Sequence, residues 1–191
     1  MNDSEGRSNA AREHSYLARA GTMTVMADPT VIAVLTILHI ASAIGWMGAV
    51  VFFLSVIGPS VRKFTPAASL EFLTKVGPRQ IRYFAGTATS TIIFGLALLI
   101  AAFGTDYSVW PRYIEVGFSL GLLAYLIALL VAIPSFRGAD KVAHQIMSNP
   151  QAGPPPPELA RYLKRGNQGA IAVAVILLLA LVFMVLSAVF A

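Results

Sequence analysis

A chain of 191 residues in which 57% of side chains are hydrophobic and 12% charged, with a mean hydropathy of +0.72, is far more apolar than a soluble domain of that length needs. Cysteine is absent, which excludes disulfides, thiolate metal sites and iron-sulfur clusters. The net charge of +5 calls for no nucleic acid, because the basic residues lie beside apolar runs and no nucleic-acid motif is present.

Residues 1–28 are polar and lack the basic-then-apolar pattern of a cleavable signal peptide, so a disordered tail is expected, with Met23 and Met26 as alternative starts. Four apolar runs follow, at about 31–57, 83–103, 113–133 and 169–190. Each meets or exceeds the roughly 20 residues a helix needs to cross the hydrocarbon of a bilayer. Barrel strands are about half that length and alternate strictly, whereas Leu177 to Phe183 does not alternate. The expected fold is all-α: an integral membrane, antiparallel four-helix bundle occupying 29–191.

In chain order, Asp28-Pro29 precedes the first span and Gly58-Pro59 is expected to end it. Thr65-Pro66 has the form of an N-cap followed by proline at the first helical position. Leu70, Phe72, Leu73 and Val76 then make an apolar stripe that Gly77-Pro78 stops. This segment reads either as a short helix on the cytoplasmic membrane surface or as an ordinary structured loop. The short connection from Gly104 to Arg112, with Tyr107, Trp110 and the following Tyr113, suits an aromatic belt and makes spans two and three antiparallel neighbours. Pro154 to Pro157 is a stiff spacer, and Glu158 to Arg165 begins the helix that becomes span four.

Orientation follows from the basic residues. Arg62, Lys63, Lys75, Arg79 and Arg82 follow span one, and Arg137, Lys141, Arg161, Lys164 and Arg165 follow span three. Loops 58–82 and 134–168 are therefore expected to be cytoplasmic and both termini outside. The Arg161, Lys164 and Arg165 cluster reads as a topology anchor, with binding of anionic lipid as the lesser alternative. Small residues recur every four positions at Ala41, Gly45 and Ala49, at Thr87, Thr91 and Gly95, and at Gly117 and Gly121. That spacing lets helices approach closely within the bundle, in a homodimer or larger membrane complex, or around a flat cofactor. The two helical hairpins are similar in size but show no strong sequence repeat.

Within the spans His39 is the one histidine, and an ionisable side chain there is a functional-site hypothesis. By helical rise His39 and Met184 both lie roughly 7 Å outward of the midplane, and Glu115 roughly 13 Å. Three readings of His39 stand open. Its ring hydrogen-bonds a hydroxyl or backbone carbonyl in the bundle, it is an axial ligand to haem iron, or it binds copper or carries protons. Met184 is a candidate sixth ligand or a packing residue. Glu115 either orients the imidazole or gates protons, or sits at headgroup level beside Arg112 or solvent. Trp46, seven residues after His39, shares its face and lines a cofactor pocket or fills the core.

The segments Leu38-His39-Ile40, Trp46-Met47-Gly48-Ala49 and Phe52-Phe53 resemble the first helix of the HemJ-type protoporphyrinogen oxidases and of the copper-resistance protein D membrane domain. Arg79 through Gly95-Leu96 is similar to their second helix, so the resemblance covers about half of the chain. It implies a small four-helix membrane protein with His39 at the position implicated in haem binding. The HemJ group also has an important lysine in its third helix, whereas Tyr113 to Ile133 holds none. The six methionines are scattered and trace no soft-ligand path for copper. The sequence thus points to a b-type haem-binding membrane protein with His39 as metal ligand. A copper or small-solute transporter and a non-catalytic subunit of a larger complex are its rivals, and whether any reaction is catalysed stays open.

Overall fold

The computed structural model describes residues 27–149 and 155–190, and every regular element among them is helical. The expected tail up to residue 26, and Pro154 of the proline spacer, lie outside the described residues. Four helices are long and apolar enough to cross a membrane: α1 (Pro29–Val61), α3 (Gly77–Phe103), α4 (Arg112–Ser148) and α5 (Pro157–Phe190). A shorter α2 (Pro66–Lys75) lies between the first two. In each long helix only 11% to 28% of the most apolar 18-residue window is buried against the rest of the chain. Ile44, Ile93, Leu130 and Val185 all stand more than half exposed, on four different helices. A water-soluble bundle would bury such side chains, and hydrocarbon is the solvent that suits them.

The helix starts follow local chemistry. The Asp28 carboxylate accepts the Thr30 N–H at 2.7 Å, and Pro29, which lacks an N–H, takes the first helical position. Thr65 caps α2 by accepting the Ala68 N–H. The turn after α3 needs Gly104, whose φ of 73° lies in the left-handed region. A 3-10 turn, Tyr107–Val109, then leads into α4. Asp106 accepts both the N–H and the hydroxyl of Ser108, and those bonds, the backbone one first, hold its carboxyl below the usual carboxylate range.

Two prolines that were expected to end or follow a span sit inside helices instead. In α1 the turn Phe53–Ile57 widens to π geometry, so the Gly58 N–H bonds the Phe53 carbonyl and Pro59 follows directly. In α4 the turn Ala128–Ala132 does the same: the Ile133 N–H bonds the Ala128 carbonyl and Pro134 follows. A proline ring clashes with the carbonyl four residues earlier in a regular α-helix, and widening the preceding turn moves that carbonyl away. The helices therefore run on to Val61 and Ser148, well past the ends of the apolar runs. Both sites share a local sequence, Pro59-Ser60-Val61-Arg62 and Pro134-Ser135-Phe136-Arg137, a correspondence too short to stand out as a repeat.

Contacts between the helices run in opposite chain senses. His39 meets Thr91 and Gly95 of α3, Gly45 meets Tyr83 and Thr87, and Phe53 meets Phe84. Along α4 and α5 the partners are Gly117 with Met184, Ala132 with Gly169, Phe136 with Gly166, and Gly138 with Tyr162. Trp46, Val50, Ala88, Ala124, Val173 and Leu177 form the main core, drawn from all four long helices. Tyr125 adds a ring edge-on to Trp46 and shares a hydrogen bond of 3.0 Å with Thr89, which ties α4 to α3. Helix α2 forms as its cap and stripe predict, but Leu70 and Leu73 pack on a cluster of Ala139, Val142 and Leu159 from the extended α4 and α5. Its apolar face is thus partly covered by protein, while Val76 at the end of the stripe stays exposed.

Candidate functional site

His39 stands on the face of α1 that meets α3. Its Nδ1 lies 3.0 Å from the backbone oxygen of Thr91, one full helix away. In a helix the carbonyl of one residue is flanked by the side chain four positions on, and here that position is Gly95. A Cβ built on Gly95 would stand 2.8 Å from His39 Cε1 and 3.0 Å from Nδ1, so glycine is what lets the ring reach the α3 backbone. The Thr91 hydroxyl turns to the Thr87 carbonyl at 2.8 Å, and Thr91 is only 7% exposed. The small residues Thr87, Thr91 and Gly95 thus form the track on which α1 packs.

The contact has a chemical consequence. A carbonyl oxygen only accepts, so in this bond Nδ1 carries the hydrogen and the neutral ring presents its lone pair at Nε2. Nε2 has no hydrogen-bond partner among the described residues. A neutral imidazole held by Nδ1–H on a backbone carbonyl is the arrangement that orients a metal-ligating histidine. The reading of the ring as bonded to a backbone carbonyl and its reading as a ligand are therefore compatible, because they use different nitrogens.

The other predicted site residues are placed apart from it. Trp46 shares the His39 face but is 1% exposed and forms the centre of the four-helix core. Met184 packs its thioether against Gly117, between α4 and α5, with a Cβ on that glycine falling 3.0 Å from Met184 Cε and 3.3 Å from Sδ. Glu115 is exposed in the first turn of α4, and neither ion pair among the described residues includes it. No hydrogen bond joins either residue to His39. His144 lies on the extension of α4 with its Nδ1 3.1 Å from Asp140, far along the chain from the His39 contact. Among the described residues no group of three or more His, Cys, Asp or Glu side chains could hold a metal ion.

A second feature was not anticipated from sequence. Where α2 meets the four long helices beyond the core, a cavity of about 280 Å³ opens at the Arg62 end of the helices. Phe53, Phe72, Phe84 and Phe136 form apolar walls, and Arg62, Gln80 and Asn167 are the polar groups that reach it. Phe53 holds Phe84 and Phe136 edge-on, with ring centres 6.2 and 5.4 Å away. The available signal was the recurrence of Pro-Ser-x-Arg after each π turn, since it places Val61 and Phe136, both of which line the cavity, at matching points of two helices.

Comparison of the chain with protein-family models, with curated proteins and with solved structures gives no match. The geometry of these two places is therefore the basis for a functional reading.

Proposed function

We propose that this chain is a multi-pass integral membrane protein, folded as an antiparallel four-helix bundle, in which His39 Nε2 is the single protein ligand to a b-type haem. The observation that carries the reading is the Nδ1 contact with the Thr91 carbonyl, which leaves Nε2 unspent and aimed by a rigid helix backbone. Ligand number points the same way. A bare copper ion needs several donors gathered at one point, and no group of three or more His, Cys, Asp or Glu side chains is found among the described residues, whereas a porphyrin brings four nitrogens and needs only an axial one. The likeness of the first span to HemJ-type and copper-resistance D-like proteins agrees with this assignment.

The residues meet the group at that one point. Neither cavity at the Arg62 end touches His39, Trp46 is committed to the core, and Met184 faces Gly117. The reading accordingly takes the iron as held by one side chain per protomer, with lipid, a second copy or a larger membrane complex covering the remainder. When bound, the haem supplies one-electron and small-ligand chemistry at iron. His39 fixes its position, and Gly95 and Thr91 fix His39. The concentration of arginine and lysine there supports a cytoplasmic Arg62 end with both termini outside.

Purified full-length protein, loaded with hemin where needed, is expected to show a Soret band that His39→Ala abolishes while the helical circular dichroism is retained. Unchanged haem content in His39→Ala overturns the assignment. Colourless protein carrying copper would favour the transport reading, and tight co-purification of a partner without either ligand would favour the subunit reading.

A further inference from the structure

We infer that the cavity at the Arg62 end is a binding site for a single-chain amphiphile with an anionic headgroup. Its volume of about 280 Å³ falls just under the roughly 300–1,000 Å³ of drug-sized ligand pockets, so it suits one acyl chain rather than a two-chain lipid. Four phenylalanines supply the apolar walls. Inward, a smaller space of about 30 Å³ shares Phe53, Ile81, Phe84 and Phe136 with it and leads toward Trp46 and Val50. The cavity is thus walled by apolar rings, with Arg62 and Gln80 near the helix ends that form its mouth and Asn167 farther in, next to Gly166 on the Phe136 ring.

The mouth selects for negative charge. Arg62 spends its Nε on the Gly58 carbonyl at 3.3 Å, which leaves the two terminal nitrogens of the guanidinium to face a ligand. Arg62 takes part in neither of the ion pairs found among the described residues. Gln80 and Asn167 are half-buried, and their side-chain amides make no hydrogen bond among the described residues. No Asp or Glu lines the cavity. One cation and two amide donors, without a neighbouring carboxylate, complement a carboxylate or phosphate, and a guanidinium can grip either with two parallel bonds. Position agrees with chemistry, because the lining runs from Phe53 and Phe84 within the apolar helices to Arg62 just past the end of α1. A ligand partitioned into the bilayer edge would meet this opening with its chain already pointing inward.

The test uses the full-length protein in phosphatidylcholine nanodiscs with a diazirine-bearing oleic acid as photo-crosslinking probe. Saturable labelling is expected, with adducts on peptides containing Phe53, Phe84 or Leu163. Oleate and oleoyl lysophosphatidate should displace the probe and oleyl alcohol should not, and the relative potency of the two anions tells a fatty carboxylate from a lipid phosphate. Arg62→Gln should raise the half-saturating concentration about tenfold, and Arg62→Lys should recover much of that loss. The His39-dependent Soret band should be unchanged in Arg62→Gln, which keeps this site separate from the haem reading. Labelling that fails to saturate, or displacement by the alcohol as effective as by oleate, overturns the proposal. Those two measurements need only the unmutated protein.

Discussion

The two ends of the same four helices are built differently. At the His39 end, glycine and threonine bring α1 against α3 so closely that a side chain bonds the neighbouring backbone. At the Arg62 end, π turns and prolines carry the helices onward, and bulky phenylalanines meeting edge-on leave a cavity beneath α2. The difference in packing lies in side-chain size at the contact. In lipid, where apolar surface gains little by leaving its solvent, small residues permit backbone approach and large rings hold helices apart.

That contrast can be broken most severely at α4 and α5. Gly169→Val would put its Cβ 3.2 Å from the Ala132 Cβ and 3.3 Å from the Ala132 backbone, which cannot swing away. A loss of about 3 kcal/mol is expected in denaturant unfolding in micelles, with a π turn as the point of rupture. Gly95→Ala comes next. Its methyl would meet the His39 ring, and displacement of that ring from the Thr91 carbonyl should cost about 1–2 kcal/mol and weaken the Soret band. A Gly95→Ala protein as stable as the parent, with unaltered absorption, would mean that the His39 contact is incidental.

Gly48→Ala sharpens the comparison from the opposite side. Nothing lies within 4 Å of a Cβ there, so stability should move by no more than about 0.5 kcal/mol, or rise slightly through helix propensity. The smallest effect is expected in α2. A hydrogen bond from Lys75, then its charge, lowers the Glu71 carboxyl below its ordinary value of 4.5. A depressed carboxyl pKa stabilises above the unfolded value, and the contribution is lost as pH falls through the folded one. The protection of α2 amides against exchange, taken relative to the intrinsic rate at each pH, should therefore fall below about pH 4.5, less so in high salt, and Lys75→Gln should flatten that dependence.

Much of the His39 region was legible beforehand. A polar ring in an apolar run, seven residues from a tryptophan and opposite a period of small residues, signals an interhelical contact, and Thr91 and Gly95 form it. The period was less informative at Gly121, where a Cβ would meet nothing within 4 Å. Gly138 and Gly166, which receive the rings of Tyr162 and Phe136, lie outside the apolar runs and carried no such signal. Pro59 was misleading as a stop, because local rules penalise proline in a regular helix while a widened turn removes the clash, as it also does before Pro134.

The sequence by itself determined that the chain is helical and apolar enough to cross a membrane four times, since length and hydropathy of a run are local properties. It also singled out His39, because an ionisable group among hydrocarbon side chains is conspicuous without any knowledge of neighbours. Only the tertiary structure decided which nitrogen of that ring is free, that the stripe of α2 rests on Val142 and Leu159, and that Arg62, Gln80 and Asn167 converge on one cavity. Those facts depend on partners tens of residues away in the chain, brought together by packing that no single stretch of sequence encodes.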